Sequence, residues 1–169
     1  AALGLASPWL VTHTDFQAAQ RELRLHVDFK KGATFSCPSC HAGGCKVHDT
    51  VEKEWRHMDF FQHKAFIIAR VPRVDCDRCG VHQVEVPWAR AGSGFTMLME
   101  GLILEMARAM PVRNIAQLLR VSPNRIWRVI EHYVGDAVDR LDCSTVTAVG
   151  VDETSARKRH DYISCFFDL

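Results

Sequence analysis

The sequence has 169 residues, of which 47% are hydrophobic and 24% charged, and this composition excludes a low-complexity or disordered chain. The length allows one ordinary domain or two to three small ones. The formal net charge of +1 excludes a uniformly basic nucleic-acid-binding protein, but not one with a local basic face. The longest apolar helix candidate, residues 95–110, contains Glu100, Glu105 and Arg108, so we expect no membrane span.

The first residues show a weak pattern that is followed by one clear strand. Pro8 and Trp9 predict a short packed arm over residues 1–20. Apolar and polar side chains then alternate strictly over residues 22–29, and this period of two predicts a half-buried strand. Residues 1–36 are therefore interpreted as an N-terminal arm and first strand. The chain starts without methionine and stops in a strand-like apolar run, so we expect a fragment truncated at both ends.

Two Cys-x-x-Cys pairs, Cys37/Cys40 and Cys76/Cys79, stand about 35 residues apart. Together they supply four thiolates, which is the ligand count of a closed tetrahedral zinc site. The alternative is a set of buried or redox-active cysteines, but no βαβ pattern surrounds either pair as a thioredoxin-like motif requires. The odd count of seven cysteines and the metal-type spacing favour a reducing cytosol over a disulfide framework.

Residues 37–87 are accordingly predicted to form a zinc ribbon built on short antiparallel strands. His41, Cys45 and His48 lie near the first pair, and one of them replacing a ligand remains an alternative. Apolar and aromatic runs predict a hairpin from strands at residues 55–61 and 65–71, a strand at residues 74–76, and a closing strand at residues 84–86. Glycine and serine mark residues 88–94 as a linker.

From residue 96 the apolar period changes from two to 3.6, which predicts helices. The first ends at Pro111, the second covers residues 112–120, and the third covers residues 123–140. Ser122 is a good N-cap, and Pro123 occupies the favoured first helical position. A helix, a short turn and a helix after a longer helix form the layout of a helix-turn-helix unit over residues 95–141. Arg120 stands where many such turns have glycine.

The start of the third helix carries side chains suited to DNA. Residues 112–134 contain four arginines and a single acid, which makes a local basic face. Arginine reads guanine bidentately, asparagine reads adenine, and serine contacts phosphate. The alternative is a plain three-helix bundle with arginines on a solvated face. The predicted DNA-binding residues are Ser122, Asn124, Arg125 and Arg128.

Residues 146–169 change the pattern again. A short apolar strand is predicted to end at Asp152 and Glu153, a basic turn follows at residues 157–159, and a second apolar strand covers residues 162–169. This order is how an RNase H-like nuclease domain begins, and such domains hold two Mg²⁺ ions with several carboxylates. Asp152 is the candidate catalytic carboxylate. An aspartate that ends a strand is more often a cap or a surface residue, which is the alternative.

Taken together in this order, these motifs closely resemble bacterial insertion-sequence transposases of the ISL-three family, over nearly the whole chain. The resemblance rests on Cys-Pro-x-Cys at 37–40, Trp-Arg-His-Met-Asp at 55–59, Arg-Val-Pro-Arg-Val-Asp-Cys at 70–76, Val-Pro-Trp-Ala-Arg at 86–90, the helix-turn-helix, and Gly-Val-Asp-Glu-Thr-Ser at 150–155. One departure is Cys79, since many relatives have histidine in place of the fourth thiolate.

The resemblance implies a structural zinc domain and a helix-turn-helix that recognise the terminal inverted repeats of an element. It also implies an Asp-Asp-Glu catalytic domain that cuts and joins DNA with Mg²⁺, of which Asp152 matches the first carboxylate. Double-stranded DNA is the expected partner, with a homodimer left open, in the bacterial cytoplasm at the nucleoid. The expected fold class is α+β and multi-domain: a zinc ribbon, a three-helix unit and the first hairpin of an RNase H-like domain.

Two rival interpretations remain open at this stage. A zinc-binding helix-turn-helix transcription regulator, or an inactive transposase remnant, would carry the same first two parts. A metal-stabilised protein-interaction module would carry the zinc ribbon and bind no DNA. Because the second Asp and the Glu of the triad have no counterpart in these residues, we expect this chain to lack catalytic activity by itself.

Overall fold

The structure is a computed structural model that describes residue 3, residues 5–157 and residues 161–168. The chain divides into two compact units, residues 1–130 and residues 131–169, which are described separately. Strands and three helices give an α+β fold, as the sequence predicts. Among the described residues, no helix is long and apolar enough to cross a membrane.

The first unit contains a five-stranded sheet. Its strands are β1 (Trp9–Gln17), β2 (Glu22–Phe29), β3 (Lys46–Phe60), β4 (His63–Cys76) and β5 (Gly80–Gln83). The order is β1-β2-β4-β3, with β5 pairing the last residues of β4. All pairs are antiparallel except β2 with β4, which are parallel.

β4 is the central strand because its side chains are the most apolar and the most completely buried. Ile67, Val71 and Val74 have no solvent exposure. Three tryptophans pack around this core, and Trp88 lies edge-on against both Trp9 and Trp55. Burial of side chains of this size is the main source of stabilisation, at roughly 25 cal/mol per Å² of apolar surface. The sheet is therefore a packed platform that can hold groups at its ends in fixed positions.

The predicted strand at residues 22–29 is confirmed as β2. The short arm predicted over residues 1–20 does pack on the core through Trp9, but residues 9–17 form β1, which the sequence pattern does not predict. β1 has no simple alternation of buried and exposed side chains, since Leu10 and Val11 are both exposed and the register shifts between Val11 and His13. An edge strand with a bulge lacks the period-two signal on which sequence-based strand prediction depends.

The predicted hairpin forms, but its strands are longer than expected. β3 begins nine residues before Trp55, in a largely polar stretch with little buried surface. β4 is one continuous strand rather than two, since Pro72 is buried within it and pairs with Thr50 of β3. The predicted strand at residues 84–86 is wrong: Val86 makes only an isolated bridge to Ala89.

The helices confirm the predicted order, with boundaries that differ by a few residues. They are α1 (Met97–Ala107), α2 (Val112–Leu119) and α3 (Pro123–Val138). The Thr96 side chain caps α1 by accepting a hydrogen bond of 3.3 Å from the Met99 amide. The buried residues shared by α2 and the first half of α3 are Ile115, Ala116, Leu119, Ile126 and Val129.

The second unit contains a two-stranded antiparallel sheet of β6 (Val149–Arg157) and β7 (Asp161–Asp168). The prediction that Asp152 ends a strand is wrong: it lies inside β6 and pairs with Cys165. The strand runs on because Thr154 and Ser155 have extended backbone and continue the ladder. The basic turn predicted at residues 157–159 falls largely outside the described residues. A two-stranded sheet does not identify an RNase H-like fold.

Candidate metal centre and nucleic-acid interface

Four thiols meet at one end of the five-stranded sheet. The first Cys-x-x-Cys pair lies in the loop between β2 and β3, and the second begins at the last residue of β4 and ends just before β5. The sulfur atoms of Cys37, Cys40, Cys76 and Cys79 all lie within 4.8 Å of one another, and the Cys40 and Cys76 sulfurs are 3.6 Å apart. Residues more than 30 positions apart are thus brought together by the pairing of β3 with β4.

Tight backbone turns aim both sulfurs of each pair in the same direction. In the first pair, the His41 amide donates to the Cys37 carbonyl at 2.9 Å, and the Cys37 amide donates to the Ala42 carbonyl at 2.8 Å. In the second, the Cys79 amide donates to the Cys76 carbonyl at 3.2 Å, and Gly80 takes a φ of 79° that favours glycine. These two turns are the knuckles of a zinc ribbon.

The electrostatics of the cluster favour a thiolate at Cys76 and disfavour one at Cys79. Backbone N–H groups of Arg78 and Cys79 donate to the Cys76 sulfur and lower its pKa to about 6. Hydrogen bonding to Cys40 and burial raise the pKa of Cys79. Four sulfurs in so small a space cannot all ionise without a cation, because like charges at this distance repel strongly. The cluster therefore fits a divalent metal.

The geometry of the donor set matches zinc. A tetrahedral Zn–S distance of about 2.3 Å places sulfurs about 3.8 Å apart, close to the 3.6 Å between Cys40 and Cys76. Cys37 and Cys76 are buried and the other two thiols are half-buried, so a metal with four protein ligands would be closed to substrate. Such a site is structural rather than catalytic.

The residues considered as replacement ligands lie outside this group of four. Cys45 is close to Cys37 and Cys76, and burial raises the pKa of its thiol, but its sulfur donates to the Ala42 carbonyl at 3.4 Å. His41 adopts a left-handed backbone with φ of 58°, which shapes the first knuckle. The structure groups neither His41 nor His48 with the four sulfurs.

The predicted DNA-contacting residues lie at the start of α3, and all four are exposed. Asn124 and Arg128 stand on the first turns of α3, and Ser122 directly precedes it. Arg128 makes no hydrogen bond or ion pair with any residue that the structure describes. Arg125 differs: its Nη2 donates to the Gly94 carbonyl at 3.2 Å, and its Cζ lies 4.1 Å from the Phe95 ring centroid.

A network that sequence reasoning missed joins the sheet to the helix-turn-helix. Asp59, at the end of β3, forms ion pairs with both Arg56 and Arg120. The Arg120 Nη1 also donates to the Gln62 carbonyl at 2.9 Å. Arg120 has a φ of 55° at the end of α2, the left-handed conformation that the motif commonly gives to glycine. Its side-chain contacts hold that turn against the β3–β4 hairpin.

A buried histidine makes a second link. His57 Nδ1 and the Thr96 hydroxyl, which caps α1, lie 2.9 Å apart, and both residues are buried. Burial, and then the positive charge of Arg56, lower the pKa of His57. A neutral imidazole is therefore part of the folded contact between β3 and α1.

We expect the free energy of unfolding to fall as pH drops below the ordinary histidine value of 6.5. The unfolded chain then takes up a proton that the folded protein excludes, so stability is complete above pH 6.5 and declines toward the lowered pKa. Urea unfolding of the zinc-loaded protein between pH 5 and 7.5 measures this slope, and His57→Gln should flatten it. An unchanged slope in the variant would remove His57 as its source.

Asp152 belongs to the second unit, in the middle of β6, and is exposed. Apart from the four cysteines, the described residues contain no group of three metal-ligand side chains close enough to share an ion. The described residues therefore do not themselves fit a Mg²⁺ site.

Comparison with known protein families finds one match for the thiol-bearing region and another for the helical region. The helix-turn-helix domain of transposase family ISL3 matches residues 84–134, and the zinc-finger of transposase IS204/IS1001/IS1096/IS1165 matches residues 33–79. The second match includes all four clustered cysteines, and the first includes α1, α2 and most of α3. No solved structure matches the chain significantly.

Curated transposases also match part of this chain. The transposases for insertion sequence element IS1557 from two strains of Mycobacterium tuberculosis, CDC 1551 / Oshkosh and ATCC 25618 / H37Rv, are each 27% identical over 117 residues. The match covers 69% of this chain and 26% of each relative, so it spans about a quarter of their length. With the four-thiol cluster and the helix-turn-helix in the order of the two family domains, these matches support an N-terminal region of an ISL3-family transposase.

Proposed function

We propose that the first unit recognises the terminal inverted repeats of an insertion element during transposition, and that this recognition depends on zinc. The observation that carries the proposal is that the four-thiol cluster, α1, α2 and the first half of α3 belong to one compact unit. Through Arg120 and Asp59, the α2–α3 turn is held against the β3–β4 hairpin, and Cys76 is the last residue of β4. An ion at the thiols would therefore also hold the DNA-reading helix in position.

The proposed coupling runs along β4. Cys76, at one end of this strand, is a zinc ligand in the proposal, and the β3–β4 hairpin lies at the other end. At that end the Arg56 amide donates to the Gly94 carbonyl at 2.9 Å, and the Thr96 amide donates to the Arg56 carbonyl at 3.1 Å. Loss of the metal would loosen the sheet and, with it, the entry into α1.

Direct reading of bases is assigned to exposed side chains at the start of α3. In helix-turn-helix complexes the second helix lies in the major groove with its N-terminal residues at base edges. Asn124 can pair with adenine and Arg128 with guanine, while the Ser122 hydroxyl can reach a phosphate. Arg128 suits this role because no described residue holds its guanidinium.

Catalysis, oligomeric state and location are further parts of this proposal. Asp152 is proposed as one carboxylate of a Mg²⁺-dependent Asp-Asp-Glu site that cleaves and joins DNA in the whole transposase. That site needs further carboxylates beyond those of the described residues. Pairing of two element ends favours a homodimer, and DNA binding favours a nucleoid-associated location in the cytoplasm.

Footprinting of both ends of the element tests the recognition directly. We expect the zinc-loaded chain to protect the terminal inverted repeats and to leave the interior of the element unprotected. Asp152→Asn is the matched variant: it should leave the footprint unchanged, and it should abolish strand cleavage by the whole transposase. Protection of a promoter instead of the repeats would support a transcription regulator, and absence of any footprint would support a protein-interaction module.

A further inference from the structure

A small concavity lies between the linker and the start of α3, and arginine side chains line it from both sides. The linker side contributes one arginine and a run of small residues followed by an aromatic ring, whereas α3 contributes two arginines one turn apart. The lining includes Arg90, Ser93, Gly94, Phe95, Arg125 and Arg128.

The Arg125 guanidinium is held in a fixed position at this concavity. One face lies 4.1 Å over the Phe95 ring, and one N–H donates to the Gly94 carbonyl at 3.2 Å. A guanidinium has five N–H donors, and no other hydrogen bond or ion pair of Arg125 exists among the described residues. The group is therefore preorganised, with most of its donors left over for a ligand.

The charges around the concavity do not balance. Arg90 donates from Nε to a carboxylate oxygen of the buried Glu100 at 3.0 Å, so one positive charge is matched. Arg125 and Arg128 have no acidic partner among the described residues. Burial, and then the positive charge of Arg56, lower the pKa of Arg125, while the charge of Glu54 acts in the opposite direction. An anion at this place would relieve the repulsion.

We propose that this concavity binds a backbone phosphate of DNA, with the Arg125 guanidinium as its donor, the positive charge of Arg128 beside it and the linker near Arg90 as its outer wall. The inference rests on the proposed function, because the phosphate belongs to the same duplex that α3 reads. It assigns residues 90–95 to the DNA interface. It also assigns Arg125 to a phosphate, where the sequence pattern predicts a base edge.

A phosphate fits Arg125 better than a base does. To reach the floor of the major groove, the side chain would have to leave both the Phe95 ring and the Gly94 carbonyl. Kept in place, its planar fork matches two phosphate oxygens. Phosphates flank the groove beside the first turns of a recognition helix, where contacts position the protein without reading sequence.

Arg125→Ala tests the inference through salt dependence. We expect its affinity for an element-end duplex and for a scrambled duplex to fall by the same factor, about fivefold at 0.15 M salt, since one phosphate contact contributes a salt slope of about 0.9. The slope of log affinity against log salt should decrease by about 1. Arg108→Ala removes the same charge from a side chain that is 78% exposed at the end of α1, and it should change neither quantity.

The outcomes separate this inference from the proposed function. If Arg125→Ala loses its preference for the element end while the salt slope stays constant, Arg125 reads a base and the phosphate site is wrong, although DNA recognition stands. Unchanged affinity for both duplexes also overturns the site. A parent protein that binds neither duplex overturns the proposed function and the site together. Zinc content and thermal melting of the variant establish that its fold is intact.

Discussion

Cys76→Ser is expected to release zinc and unfold the five-stranded sheet. Cys76 is the last residue of the central strand and is 4% exposed, so its sulfur joins the metal to the core of the first unit. Structural zinc contributes its binding free energy directly to folding, on the order of 10 kcal/mol in zinc-finger peptides. Loss of one thiolate from a closed site removes much of that contribution.

Zinc content by elemental analysis and circular dichroism during urea unfolding measure the effect of Cys76→Ser. Two matched variants isolate the cause. Cys143→Ser changes an exposed cysteine of the second unit, and Cys45→Ser changes the thiol that hydrogen-bonds to the Ala42 carbonyl. We expect both to retain about one zinc ion per chain. A Cys45→Ser protein without zinc would instead make Cys45 a ligand, and a stably folded, zinc-loaded Cys76→Ser protein would contradict the account.

Asp59→Ala should destabilise the first unit and disorder the α2–α3 turn, because it removes the carboxylate shared by Arg56 and Arg120. The Arg56 side chain is only 2% exposed, and its charge would be left buried without an acidic partner. Breaking a buried ion pair typically costs about 3–5 kcal/mol. Asp59 itself is 23% exposed, so we expect about 2 kcal/mol after allowance for screening by water.

The matched control for Asp59→Ala is Asp49→Ala, on the same strand. Asp49 pairs with Arg73 at 2.6 Å from Nε, but the two side chains are 39% and 44% exposed. Exposed pairs contribute about 0–1 kcal/mol, so this variant should unfold almost as the parent does. Equal losses in the two variants would show that the Asp59 network has no special role. A selective loss of DNA affinity in Asp59→Ala would support the coupling to the helix-turn-helix.

The features that sequence reasoning predicts well are those encoded by short-range spacing. The Cys-x-x-Cys pairs define the knuckles, and the run from Pro111 to Pro123 contains the signals that separate α2 from α3. Ile115 in α2 and Ile126 in α3 each belong to an apolar pattern of helical period, and both are fully buried, as that pattern predicts. Each of these signals lies within a few residues of the structure that it specifies, so no knowledge of the fold is needed to read it.

The features that it misses depend on partners distant in the chain. The Asp59–Arg120 pair joins residues 61 positions apart, and no sequence pattern near either residue indicates it. The same holds for Arg125, which looks free in the sequence but packs on Phe95 in the fold. Glycine is commonly expected at the position of Arg120, yet this arginine adopts the left-handed backbone because the hairpin supplies side-chain partners. Tertiary contacts here override a local preference.

The strand β1 and the position of Asp152 inside β6 are not predicted, for a different reason. Both belong to strands with little buried surface, and a strand without a buried face has no period-two pattern to detect. Leu10 and Val11 are exposed together on β1, and Val151 beside Asp152 is 61% exposed on β6. Strand boundaries in such segments depend on hydrogen bonds with a neighbouring strand. The sequence of the strand alone does not specify that neighbour.

The central claim is that zinc at the four thiols orders a DNA-reading unit. The most direct test is fluorescence anisotropy of the chain, first zinc-loaded and then chelated, with an element-end duplex and a scrambled duplex. We predict a preference for the end sequence that disappears on chelation and returns when zinc is restored. Equal binding to both duplexes in the zinc-loaded state, or a preference that survives complete removal of zinc, would contradict it.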